Sequence, residues 1–109
     1  MKRIVIPITL LLAGCAKPPE EIVAANVPVD PYARQSCAEL STLQVQKHQS
    51  LSQLETIQRA TAQEDSDSMK AIHIPVGSIR GGDKEEEIAR TKGELNAIAS
   101  ARQSAGCGA

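Results

Sequence analysis

Hydrophobic residues fall into distinct patterns along this chain. Near the start, Ile4-Val5-Ile6-Pro7-Ile8-Thr9-Leu10-Leu11-Leu12 is a short apolar run. From about Tyr32 to Ala62 the spacing turns helical. Ala33, Cys37, Leu40, Leu43, Leu51, Leu54 and Ile57 share one face at about 100° per residue, while Glu39, Gln46, Gln49, Gln53 and Glu55 lie mostly elsewhere. Leu40 to Leu51 and Leu43 to Leu54 are both eleven residues apart, which keeps the stripe in place over several turns of a nearly straight helix. Lys47 shares the face, so the seam is narrow and partly polar and asks for one partner rather than a thick core.

The pattern breaks over 63–82. Glu64-Asp65-Ser66-Asp67-Ser68 is polar and acidic, Ile72-His73-Ile74-Pro75-Val76-Gly77 is apolar and interrupted by proline, and Gly81-Gly82 follows, which together predict a loop. Asp83 with Glu86 three residues on has the form of a capping box, and Glu85-Glu86-Glu87 places negative charge at the positive end of a helix. A second helix is therefore expected over 83–105, with Ile88, Leu95, Ile98 and Ala99 at helical spacing, Thr91 and Arg102 on the same face, and Gly106 as its stop. Two helices, about 32–62 and 83–105, each with one apolar stripe, predict an all-α fold, a two-helix antiparallel hairpin. The apolar piece from Ile72 to Ile79 is expected to fold back over the seam, because two narrow stripes alone bury little surface; the alternative is a contact surface for a partner.

Composition narrows the function. The chain has 109 residues, 23% of them charged, a formal charge of −1, and Tyr32 as its only aromatic. A core built from Leu, Ile, Val and Ala in a chain this size argues against a deep enzymatic pocket. The near-neutral balance offers no basic field for nucleic acid, and no apolar run approaches the roughly eighteen residues needed to span a bilayer.

Met1-Lys2-Arg3, the nine-residue apolar core and the small residues Ala13-Gly14 before Cys15 have the order of a secretory signal, too short for a stable transmembrane helix. Leu12-Ala13-Gly14-Cys15 resembles the lipobox of bacterial lipoproteins. That resemblance, carried by residues 1–16 alone, implies that residues 1–14 are removed by cleavage after Leu12, Ala13 and Gly14 and that Cys15 is acylated. A diacylglyceryl thioether with a third acyl chain, palmitate or similar, on the amine would anchor the chain firmly in a membrane. In that class an aspartate after the cysteine commonly retains the protein at the inner membrane. Ala16 stands there instead, which implies the outer membrane, with the protein on its periplasmic side or at the cell surface.

Loss of Lys2 and Arg3 leaves ten basic against thirteen acidic side chains, a mildly acidic surface. Residues 16–31, with Pro18, Pro19, Pro28 and Pro31, are expected to be an extended tether carrying the folded part up to roughly 50 Å from the lipid at about 3.1 Å per residue. Cys37 near the start of the first helix and Cys107 just past the second fall at the same end of an antiparallel hairpin. Running from Cys37 to about Ala62 and from Asp83 to Ala105, helical lengths near 37 and 33 Å at about 1.5 Å per residue match well enough to bring the sulfurs together. One cysteine for lipid and two for a bridge accounts for all three in an oxidising compartment. Two free thiols, or a bridge to another protein, are the alternatives the sequence leaves open.

Catalytic and metal-binding patterns are poorly matched. His48 and His73 have no second histidine at ligand spacing, and a thiol dyad with Cys37 conflicts with the expected cystine. Asp65 and Asp67 begin a calcium-loop pattern that fails at Lys70 and Val76, so a solvated acidic turn is expected. Gly77-Ser78-Ile79-Arg80-Gly81-Gly82-Asp83-Lys84 departs from a phosphate loop in its intervening aspartate and in the absence of Ser or Thr after Lys84. No catalytic residue, metal site or cofactor is expected, apart from the covalent lipid on Cys15.

Residues 74–96 are similar to a segment of short, uncharacterised bacterial envelope proteins that continue as a helix toward a terminal cysteine. The expected function is that of a small membrane-anchored lipoprotein, a structural or accessory interaction protein of the bacterial cell envelope, with membrane lipid and an envelope protein as partners and self-association into a four-helix bundle as a further option. The rival expectation is an exclusion or secretion-associated lipoprotein of a mobile element. A metal-binding or redox protein would require His73 to converge with Asp65 and Asp67.

Overall fold

The computed structural model describes residues 15–108. The segment read as a signal peptide, including Leu12, Ala13 and Gly14, lies outside the described residues. Helix α1 (Cys37–Ile72) opens at a capping box the hydrophobic pattern does not reveal: the Ser36 hydroxyl accepts the Glu39 N–H at 3.1 Å, and the Glu39 carboxylate accepts the Ser36 N–H at 3.1 Å. The sequence reading starts this helix at about Tyr32, but Tyr32 closes a separate 3-10 turn, Asp30–Tyr32, and α1 begins only at Cys37. At the other end α1 runs ten residues beyond Ala62 and stops at His73, whose left-handed backbone (φ 59°) lets its N–H reach the Met69 carbonyl before Pro75.

The acidic run Glu64 to Ser68 is therefore helix, not loop. The reason lies in the seam. Gln58, Thr61 and Asp65 continue the face of Leu51 and Leu54 at three- and four-residue steps, and all three are buried. The helix keeps its inward stripe after its apolar residues run out.

A four-residue helix, α2 (Val76–Ile79), then leads to α3 (Glu85–Ser104), so the all-helical hairpin has a third helix in its connection. The capping box expected at Asp83 does not form. Lys84 is the N-cap residue without a side-chain cap bond, and Asp83 accepts the Glu85 N–H at 3.2 Å while its same oxygen takes the Gln58 amide. At the far end Gly106 adopts φ 68°, and the Cys107 N–H returns to the Arg102 carbonyl, a Schellman-type turn that folds Cys107 back. The Cys37–Cys107 disulfide forms across it with a Cα separation of 5.6 Å.

Helices α1 and α3 are antiparallel. Leu40, Ile98 and Ala101 form the core at the disulfide end, with Val29, Tyr32, Leu43 and Cys107 packed on it. Lys47 meets Glu94 at 3.1 Å in the middle of the seam, in keeping with its place on the apolar face. Ile88, Leu95 and Ile98 are buried as expected, whereas Ala33, Ile57 and Ala99 are exposed.

Residues 16–31 are not a free tether. Their backbone is largely extended, but it lies along α3 as a strap. Ala16, Pro19 and Ile22 are buried, the Ala25 N–H donates to the Ala89 carbonyl at 2.8 Å, and Lys92 Nζ donates to the carbonyls of Pro19 and Ile22. Apart from short 3-10 turns at Pro19–Glu21 and Asp30–Tyr32, the prolines keep the segment from building a continuous helix, and several of its remaining polar backbone groups bond the helices instead. Close approach is possible because Gly93 has no side chain: a Cβ there would meet the Ala25 carbonyl oxygen at 2.3 Å.

Candidate functional site

The part of α1 beyond Gln58 overhangs the start of α3, and there the seam is filled by hydrogen bonds. Gln58 is fully buried. Its amide donates to the Lys17 carbonyl at 2.9 Å and to Asp83 Oδ1 at 3.0 Å, and its Oε1 accepts the Lys84 N–H. One side chain therefore ties α1 to the strap and to the approach to α3. Thr61 follows at i+3, its hydroxyl shared between the Ile57 and Gly82 carbonyls.

Asp65, one turn on, is fully buried. Its Oδ2 accepts the Ala16 N–H at 2.8 Å and the Ser78 hydroxyl, and its Oδ1 accepts the Ser78 N–H at 2.9 Å. Burial pushes this carboxyl up, but the Ser78 hydroxyl and the backbone N–H groups of Ala16, Ser78 and Gly77 outweigh it and hold the acid below its ordinary value. The solvated turn that the sequence predicts at Asp65 is thus absent. In the structure this residue is the charge around which the strap and α2 meet.

Gly77 sits tight against this point, with a notional Cβ 3.0 Å from Asp65 Oδ1, and α2 folds back on α1 through Gly77 and Ser78. The expected folding-back of the apolar segment thus holds for its backbone. Its side chains do otherwise: Ile72, Ile74 and Ile79 are 56%, 44% and 68% exposed.

Cys15 precedes the Ala16 contact directly. It is exposed, lies outside the disulfide, and lines an open groove of about 780 Å³ together with Ala16, Pro18, Ala62 and Met69. Two ion pairs brace the neighbouring strap, Lys17 with Glu85 at 2.8 Å and Arg59 with Glu20 at 2.6 Å. Both are solvent-exposed, so they add orientation more than stability.

Other singled-out residues do not assemble into chemistry. Asp67 is exposed and accepts from Gln63, His73 is an exposed helix terminus and His48 lies exposed in mid-α1. Among the described residues no group of three or more His, Cys, Asp or Glu side chains is placed to hold a metal ion. Among the same residues no helix is long and apolar enough to cross a membrane.

Gln58, Thr61 and Asp65 escape a reading based on hydrophobicity although a signal exists: they stand at seam spacing from Leu51 and Leu54. The Ser36-x-x-Glu39 box is equally visible and marks the true start of α1. No family model, no curated protein and no solved structure matches the chain.

Proposed function

We propose that this chain is a bacterial lipoprotein, anchored in the envelope through acylated Cys15 and serving as a non-enzymatic accessory protein there. The observation that carries the reading is the placement of Cys15, directly behind Leu12-Ala13-Gly14 and the apolar run that follows Lys2-Arg3. The thiol inventory supports it. Cys37 and Cys107 are joined, which suits an oxidising compartment and leaves Cys15 exposed and unjoined for modification. Ala16 in place of aspartate favours outer-membrane sorting. Exposed Val45 and Ile57 on α1 give an envelope protein, or a second copy of the chain, a helical surface to recognise.

The test is an intact mass of the protein extracted from bacterial membranes, before and after reduction and alkylation. Residues 15–109 plus acyl chains are expected, with two thiols appearing only on reduction. A mass that retains residues 1–14, or recovery of Cys15→Ser protein in the membrane fraction as fully as wild type, would overturn the anchor.

A further inference from the structure

We propose that the folded body seats directly on the bilayer by its Cys15 end, with Ile72, Ile74 and Ile79 meeting the lipid headgroup boundary beside the anchor. This rests on acylation of Cys15 and adds to it a fixed orientation and a second, non-covalent membrane contact.

The first observation is slack, or the lack of it. A tether over 16–31 would let the body wander, but Ala16 is buried and its N–H is bound to Asp65. The carbonyl of the next residue, Lys17, is bound to Gln58, itself buried. The fold therefore begins one residue after the anchor point. Removing a leader before Cys15 leaves the Cys15–Ala16 peptide intact, so the Ala16 N–H remains available to Asp65 in the acylated product.

The second observation is what stands at that end. Asp65 holds Ala16 with one oxygen and Ser78 with both, which places the residue after Cys15 and the residue before Ile79 around one carboxylate. Met69 shares the groove with Cys15, and Ile72 lies three residues further along the same helix, a neighbouring position on its surface. Ile74 follows the turn, its carbonyl accepting from the Ser68 hydroxyl. Three large apolar side chains are thus exposed where the backbone between them is tied down. Exposed apolar side chains on segments held around one carboxylate ask for a covering surface, and acyl chains on Cys15 would put the bilayer there. Lys70, two residues before Ile72, and Arg80, next to Ile79, are both exposed, and their long stems can lie along the boundary with their charges in the headgroups. Glu64 pairs with Arg80 and Asp67 is exposed nearby, so the surface has no strong net sign and a zwitterionic lipid suffices.

The chain contains no Trp, so one introduced indole reports one position. Two single variants, Ile79→Trp and, near the opposite end of α1, Val45→Trp, are extracted acylated, their lipid verified by mass, and reconstituted in phosphatidylcholine vesicles with or without bromine on the acyl chains. Indole emission from the Ile79→Trp protein should fall at least twofold with brominated lipid, while emission from the Val45→Trp protein is unchanged. Equal quenching of the two variants, or none of the Ile79→Trp protein, overturns the seat. So does a blue-shifted emission from the Ile79→Trp protein that bromine does not quench, which means a protein covers the isoleucines. Eight Gly and Ser residues inserted between Cys15 and Ala16 preserve every bond of the fold and add only slack. Quenching of the Ile79→Trp protein should then drop toward that of the Val45→Trp protein, and undiminished quenching overturns the role given to the Ala16–Asp65 link. A mass without acyl chains, by contrast, refutes the lipoprotein reading itself.

Discussion

Replacing Gly93 by alanine distinguishes a packed strap from a free one by the sign of its effect. In an exposed helix interior, glycine to alanine stabilises by about 1 kcal/mol, since alanine has the better helix propensity and restricts the unfolded chain. Here the new methyl carbon would lie 2.3 Å from the Ala25 carbonyl oxygen and 2.6 Å from Val27 Cγ2. The first of these is backbone and cannot swing aside, so the strap must lift. Overpacking of this kind costs about 1–3 kcal/mol, and lengthening the bond from the Ala25 N–H to the Ala89 carbonyl adds about 1 kcal/mol more. Set against the propensity gain, the net is a destabilisation of about 1–3 kcal/mol, bounded by the cost of releasing the strap altogether. Urea unfolding followed by circular dichroism measures it, and thermolysin digestion should cut the variant early near Ile22 and Val23 while leaving the helices intact. A midpoint equal to or above that of wild type, with unchanged cleavage, would refute the packing of the strap on α3.

The disulfide and the buried acid supply two further expectations. Cys37→Ser should lower stability by up to about 4 kcal/mol, the chain-entropy value for a loop closed over 70 residues, and dithiothreitol should lower wild type by the same amount while leaving the variant unmoved; a variant as stable as wild type would contradict the clamp. Asp65 is held below its ordinary value in the fold, so its contribution is fully present above the unfolded carboxylate value of about 3.9 and is lost as pH falls through the lower folded value. The gap in urea midpoint between wild type and Asp65→Asn should therefore be wide at about pH 6 and shrink below about pH 4, and a gap independent of pH would show that the carboxylate is not the stabilising species.

The second helix is legible almost to the residue, 83–105 against Glu85–Ser104, because both its ends carry chemistry: three glutamates at the positive end and Gly106 at the other. The first helix is legible only while its seam is apolar. After Leu54 the inward positions pass to Gln58, Thr61 and Asp65, so the period of burial continues while the period of hydrophobicity ends at the exposed Ile57. Side chains of this kind are tolerated inside because each finds partners. Gln58 makes three bonds and Asp65 accepts from Ala16, Ser78 and Gly77, and those partners lie at 16–17 and 77–84, well away along the chain. The strap shows the same division. Its prolines correctly imply an extended, non-helical backbone, but nothing local says that the Ala25 N–H and the Pro19 and Ile22 carbonyls will find α3.

The proposed acylation of Cys15 draws on its neighbours in sequence, whereas the relation of Cys15 to the fold depends on the residue after it. Two considerations bear on that residue. In the class the leader resembles, the side chain after the cysteine directs sorting, and aspartate there retains a protein at the inner membrane. In this fold Ala16 is buried and its N–H is bound to the buried carboxylate of Asp65. An aspartate at 16 would have to be desolvated close to a second negative charge, a placement that raises the acid and weakens the fold. If Cys15 is acylated as proposed, the bond from the Ala16 N–H to Asp65 thus disfavours at position 16 the side chain that the resembled class uses for inner-membrane retention.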